Sequence, residues 1–215
     1  MQVKVWASRS ALWGALCWAV LDASVAASLP LISEVFYDQS GSDDGHSFVE
    51  LFGAPGTPLD GLRLEGVNGF DGGVGPVIAL AGSVGPSGLF VVADRTGGGV
   101  TFVSAFDQLA NFDLQNGPDS VRLVSDTEVL DAVGYGAFDA TEVFAGEGTA
   151  APDAPGGSSL ARLFADVDTD DNAIDFAVRG APTPGSAPLR GAVPEPALPL
   201  LMYLGLVLWC WYESR

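Results

Sequence analysis

The chain has 215 residues, 27 acidic against nine basic, and a formal net charge of −18. Such a charge repels phosphate backbones and argues against a nucleic-acid partner. The two cysteines, Cys17 and Cys210, lie in apolar runs near opposite ends. The region between them therefore has neither a disulfide framework nor a Cys-based zinc site.

The first segment, residues 1–27, reads as a secretory signal peptide. Lys4 and Arg9 form a positive n-region, residues 11–21 (ALWGALCWAVL) an apolar run, and residues 23–28 (ASVAAS) a small-residue cut site. Cleavage after Ala26 or Ala27 leaves small residues at the −1 and −3 positions, and Asp22 places a charge between the run and the cut. A retained N-terminal anchor is the alternative, disfavoured because a span needs roughly 20 apolar residues. Gly14-Ala15-Leu16 before Cys17 is a poor lipoprotein box.

Three acidic residues, Asp22, Glu195 and Glu213, fall outside residues 28–193, leaving 24 of the 27 inside. Lys4, Arg9 and Arg215 also fall outside, leaving six arginines and no lysine inside. Two roles fit this surface. One is divalent-cation binding at clustered carboxylates. The other, which we favour, is a solvated acidic surface that keeps an exported domain soluble.

Within this region, short apolar runs at 29–37, 46–53, 59–67, 76–82, 88–94, 119–125, 128–136 and 158–164 read as strands. In DSVRLVS (119–125), Val121, Leu123 and Ser125 alternate with Ser120, Arg122 and Val124. Leu62 and Leu64 alternate with Arg63 and Glu65 in the same way. Turn clusters at 38–45 (DQSGSDDG), 53–58 (GAPGTP) and 115–119 (QNGPD) separate the runs. No long 3.6-residue apolar period occurs. The expectation is an all-β sandwich.

The densest oxygen cluster is Asp166, Asp168, Asp170, Asp171, Asn172 and Asp175. Alternating aspartates aim carboxylates at one point, so Asp166, Asp168, Asp170 and Asn172 are the candidate calcium ligands. The spacing is not that of an EF-hand: Asp171 stands where glycine is needed and Ala177 where glutamate is needed. The competing reading is an acidic loop whose side chains cap local amides. Asp43 and Asp44 are a weaker second cluster. His46, the only histidine, has no nucleophile elbow or comparable frame around it. Glu34 and Glu50 stand on neighbouring strand candidates and could form a carboxylate pair, although their apolar surroundings favour a structural role. Gly-rich 71–75 and 97–99 lack a following helix or lysine, so they are loops rather than phosphate cradles. The absence of tryptophan between the two ends weakens a lectin reading.

The chain closes with a proline-rich linker (189–196) containing VPEP at 193–196, an uncharged apolar segment (197–212) and Glu213-Ser214-Arg215. Sixteen helical residues span about 24 Å, short for a hydrocarbon core of about 30 Å, so snorkelling or local thinning is expected. Trp209, Trp211 and Tyr212 suit the interface, and Arg215 suits the cytoplasmic side.

Pro194, Glu195 and Pro196, followed by that helix, resemble the PEP-CTERM sorting signal of Gram-negative bacteria. The resemblance implies an exosortase-type processing enzyme as partner, beside signal peptidase at Ala27, and passage through the inner membrane to the cell surface. A single arginine stands where the family has an arginine cluster. An ordinary tail anchor is the alternative. The order ISEVFYD (32–38), FVEL (48–51), LDGLRLEGVNG (59–69), FVVAD (90–94), NFDLQNGPDSVRLVS (111–125), VLDAVGYG (129–136), SSLAR (158–162), DTDDNAIDF (168–176) and APTPGSAP (181–188) resembles a bacterial lamin-tail domain. Gly53 departs from it, standing where members carry asparagine. The resemblance implies an immunoglobulin-like β-sandwich over 28–188 and a role in adhesion or tethering. The expected function is thus an exported, non-enzymatic surface or matrix module without a required cofactor. The alternatives are a calcium-dependent binding domain and, behind it, a hydrolase with an unrecognised site.

Overall fold

The computed structural model describes residues 29–191. The expected signal segment and the apolar segment at 197–212 lie outside them. So do the processing residues Ala27, Pro194, Glu195 and Pro196. Among the described residues no helix is long and apolar enough to cross a membrane.

The regular secondary structure of the described chain is almost entirely β. The strands are β1 (Leu31–Phe36), β2 (Phe48–Phe52), β3 (Arg63–Asn68), β4 (Val74–Ala79), β5 (Leu89–Asp94), β6 (Gln108–Ala110), β7 (Asp119–Val124), β8 (Val129–Tyr135), β9 (Ser159–Arg162) and β10 (Phe176–Arg179). One short helix, α1 (Asn172–Asp175), precedes β10. They form a six-stranded sheet, ordered β10-β9-β1-β2-β5-β6, and a four-stranded sheet, ordered β4-β3-β7-β8. All pairings are antiparallel except β5 with the short β6.

One core joins the two sheets. Val49, Leu51, Phe90, Val92 and Leu160 from the first meet Leu64, Ile78, Val121, Leu123 and Val133 from the second, all buried. Tyr37 and Tyr135, both part of this core, stack with ring centroids 4.1 Å apart. This is the two-layer arrangement expected from many short alternating strands. Val121 and Leu123 point inward as their alternation requires, while Arg122 reaches out to Glu65 on the neighbouring strand at 2.6 Å.

The alternation in β1 is broken by design. The register of β1 against β2 shifts between Ile32 and Glu34, leaving Ser33 as an extra residue. Such a bulge resets the period of two. Ile32, Val35 and Tyr37 therefore join the inner core. Glu34 and Phe36 face the other way, beside Glu50 and Phe48 of β2. That outer face carries a second, smaller apolar layer of Phe36, Phe48, Val91, Ala93 and Val103. The loop after β5 covers it with Val103.

Differences from the sequence reading are local. The run expected at 76–82 forms its strand earlier, over Val74–Ala79, an exposed sheet edge. Edges are where a proline such as Pro76 is tolerated. Strands β6 and β10 were not expected as strands: β6 has only three residues, and the apolar part of β10, Phe176–Val178, is no longer than that.

Candidate functional site

Arg162 ends β9 on the inner side of the sheet and is 1% exposed. Its Nε donates to Ile32 O at 2.8 Å and its Nη2 to Asp131 Oδ1 at 2.8 Å. Its Nη1 donates to Asp175 Oδ2 at 2.7 Å, with Val167 O and Asp168 Oδ1 at 3.2 and 3.3 Å. The guanidinium lies 4.7 Å from the Phe176 ring centroid, a cation–π geometry. Asp131 belongs to β8 in the opposite sheet and accepts Ile32 N at 2.5 Å. One arginine and one aspartate thus tie the sheets together at their edge.

The aspartates after Arg162 serve different partners. Asp166 accepts the Arg190 amide at 2.8 Å. Asp168 faces Arg162 and accepts the Asp170 amide at 3.2 Å. Asp170 is exposed, with a left-handed backbone at φ 55°. Asp171 caps α1 through Ala173 N and also accepts Thr149 N. Asp175 accepts both the amide and the hydroxyl of Thr169. Asn172 is fully buried; its Oδ1 accepts Gly134 N and Glu147 N, both at 2.9 Å, and its Nδ2 donates to Ala132 O at 2.8 Å.

Of the four calcium-ligand candidates, Asp166, Asp168, Asp170 and Asn172, only Asp168 belongs to a converging set of carboxylates. Among the described residues that set is Asp131, Glu147 and Asp168, with ligand oxygens within 4.8 Å of one another. Glu147 Oε2 is buried there without a hydrogen-bond partner. Burial, reinforced by the charges of Asp131 and Asp168, pushes the Glu147 carboxyl up to about 8. Sequence reasoning missed Arg162, Asp131 and Glu147. A lone charge inside each of the strand runs SLAR and VLDAVGY was the available signal for the first two.

The weaker cluster, Asp43 and Asp44, lines a recess of about 280 Å³ with Asp94 and Asp113. Asp94 holds Gly45 N and Phe112 N, and Asp43 holds Gln39 N. Burial and then the charges of Asp43, Asp94 and Asp44 raise the Asp113 carboxyl above the usual range.

Glu34 and Glu50 are cross-strand partners on the outer face, and both are buried. Glu34 accepts Ser159 Oγ at 2.5 Å, Thr183 N at 2.9 Å and Thr183 Oγ1 at 2.7 Å. Glu50 accepts Ser33 Oγ at 2.8 Å and Gly185 N at 2.7 Å. Together they clamp the segment after β10 onto the sheet. Burial pushes the Glu50 carboxyl up to about 7, with the Ser33 and Gly185 bonds opposing and the Glu34 and Asp107 charges adding.

A carboxyl raised from 4.5 to about 7 binds its proton more tightly in the folded state. Its stabilising contribution is complete below the unfolded value and is lost as pH rises through about 7. We therefore expect the melting temperature to fall between pH 5 and pH 8 more in the native chain than in Glu50→Gln. Equal slopes in the two proteins would remove Glu50 as the cause. Glu147 titrates in the same direction, so the difference between the two proteins isolates Glu50.

His46 lies at the rim of the outer face, its ring stacked on Phe102 with centroids 4.5 Å apart. Beside it is a groove of about 400 Å³ lined by Phe36, Gln39, Phe48, Ser104, Pro182 and Pro184 among others.

Comparison with family models, with curated proteins and with solved structures finds no match to this chain.

Proposed function

We propose that the chain is an exported surface or extracellular-matrix module of the lamin-tail type, an immunoglobulin-like sandwich that works by binding rather than catalysis. An N-terminal signal removed at Ala27 and a Pro194-Glu195-Pro196 sorting segment with a short membrane helix deliver it. Signal peptidase and an exosortase-type enzyme are its processing partners, and the cell surface of a Gram-negative bacterium its destination.

The observation that supports this reading is that the described residues, 29–191, contain both sheets and the core they share. The first strand starts at Leu31 and is pinned at Ile32. The last described clamp is Arg190 on Asp166. Cutting at Ala27 and near Pro194 leaves both sheets and all of these bonds intact. The outward acidic surface suits a soluble exterior domain, and the paired carboxylates Glu34 and Glu50 hold the protein's own backbone rather than facing an open cleft. Protease treatment of intact cells tests the placement. Loss of the domain from intact cells is the expected result; complete protection until lysis contradicts it.

A second reading rests on Glu147 Oε2, which is buried and unpartnered beside Asp131 and Asp168. Hard oxygen ligands of this kind suit calcium, which would make the sandwich a calcium-dependent binding domain. Calcium should then raise the melting temperature of the chain over that in EDTA, and Glu147→Gln should abolish the increment. An identical melting temperature with and without calcium rejects this reading.

A further inference from the structure

We propose that the groove between His46–Phe102 and the segment after β10 is a binding site for a neutral saccharide. The cleft, about 400 Å³, falls in the range of small-molecule sites. Its lining includes Phe36, Phe48, Phe102 and His46, with Gln39 and Ser104 as polar members, and no carboxylate. That is unusual on this surface: three other recesses among the described residues each include at least one aspartate.

The chemistry of the lining selects the ligand class by elimination. An anion is repelled by a domain of this charge. A cation finds no carboxylate in the groove. A purely apolar ligand leaves polar groups unpaired: among the described residues no hydrogen bond uses the His46 ring nitrogens, Gln39 Nε2 or Ser104 Oγ. A sugar ring meets both demands. Its hydroxyls pair with the imidazole, amide and hydroxyl, and one C–H face lies against the exposed Phe102 ring, the stacking surface in a groove that has no tryptophan.

The site is also held in shape before any ligand arrives. Asp94 Oδ2 accepts Gly45 N at 2.6 Å, and Gly45 O accepts Phe102 N at 2.8 Å, which fixes Phe102 beside His46. Gly45 has φ 82°, and a Cβ there would come within 2.9 Å of Thr96 and 3.2 Å of Phe102, so glycine is required for this approach. On the opposite wall, Pro182 and Pro184 line the groove. The alternate residues Thr183 and Gly185 are held from beneath by Glu34 and Glu50. Fixed aromatic and proline walls reduce the ordering cost of binding.

The inference names a ligand for the surface-module reading but stands on the groove alone. His46 is the only histidine in the chain, so its ring resonances report this site without overlap. The full chain, labelled with 15N-histidine and held in a sugar-free detergent, is titrated with cellotetraose, laminaritetraose and mannotetraose. Tetragalacturonate and a proline-rich peptide serve as the charged and peptide comparisons. We expect a saturable shift of the His46 ring signals with at least one neutral sugar and none with tetragalacturonate. Phe102→Ala, at a side chain 60% exposed, should weaken that binding by about tenfold or more without changing the melting temperature. Silence with all three neutral sugars overturns the proposal, as does stronger binding of tetragalacturonate or of the peptide. A chain that binds the sugar but stays inside the cell would sink the export reading and leave this one standing.

Discussion

Arg162→Met is expected to lower the unfolding free energy by roughly 3–5 kcal/mol, the range for removing one partner of a buried ion pair. The guanidinium is fully buried and faces Asp131, Asp175 and Asp168 at 2.7 to 3.3 Å. Without it, Asp131 and Asp175 remain buried with no cation, and Ile32 O and Val167 O lose a donor. The loss falls on both sheets, since Asp131 also holds the first strand through Ile32 N. Arg162→Lys should recover only part of the stability: one ammonium cannot reproduce the guanidinium fork or its cation–π contact with Phe176. Urea unfolding followed by circular dichroism measures this. A change below about 1 kcal/mol, the scale of an exposed pair, would show that the network is not a determinant of the fold.

Asn172→Ala is expected to cost roughly 2–4 kcal/mol, because a buried polar group left unsatisfied costs about 1–3 kcal/mol. The side chain is fully buried and serves Gly134 N, Glu147 N and Ala132 O together. Solvent has little room to replace it. Gly146 packs so closely that a Cβ there would run into Gly134 N and Asn172 Oδ1. Hydrogen exchange separates this role from a general loss of stability. The Gly134 and Glu147 amides should lose protection first, while the β2–β5 ladder keeps its own until global unfolding. Unchanged exchange at Gly134 and Glu147 would contradict the assignment.

Asn172 also shows where a sequence can and cannot be read. Its place among Asp166, Asp168, Asp170 and Asp171 signals a cluster of oxygens, and local spacing then suggests one shared cation. The partners that define its role, Gly134, Glu147 and Ala132, lie 25 to 40 residues away. Spacing within the loop carries no trace of them. Asp171 fits the competing reading, capping α1 through the Ala173 amide.

The same division holds across the fold. β7 and β8 were legible as apolar runs, and in β7 the period of two puts Val121 and Leu123 on the core face and Arg122 on the other. β6 was not, because its three residues pair with β5 only through tertiary contact. β1 was legible as a strand but not in phase, since the Ser33 bulge appears only against β2. Glu34 and Glu50 could be placed on neighbouring strands, but their partners Thr183 and Gly185 are 149 and 135 residues distant. Arg162 and Asp131 stood in apolar strands as single charges, which is the mark of a buried pair when both strands are recognised. His46 and Phe102, separated by the whole of β2 to β5, had no common signal at all.

The most direct measurement is the intact mass of the chain recovered from the cell surface. The account predicts an N-terminus just after Ala26 or Ala27 and a C-terminus cut near Pro194-Glu195-Pro196, with the sandwich from Leu31 to Arg190 complete. A surface chain that retains Arg215 would contradict exosortase-type processing. A full-length chain from Met1 to Arg215, confined to the cytoplasm, would contradict export altogether.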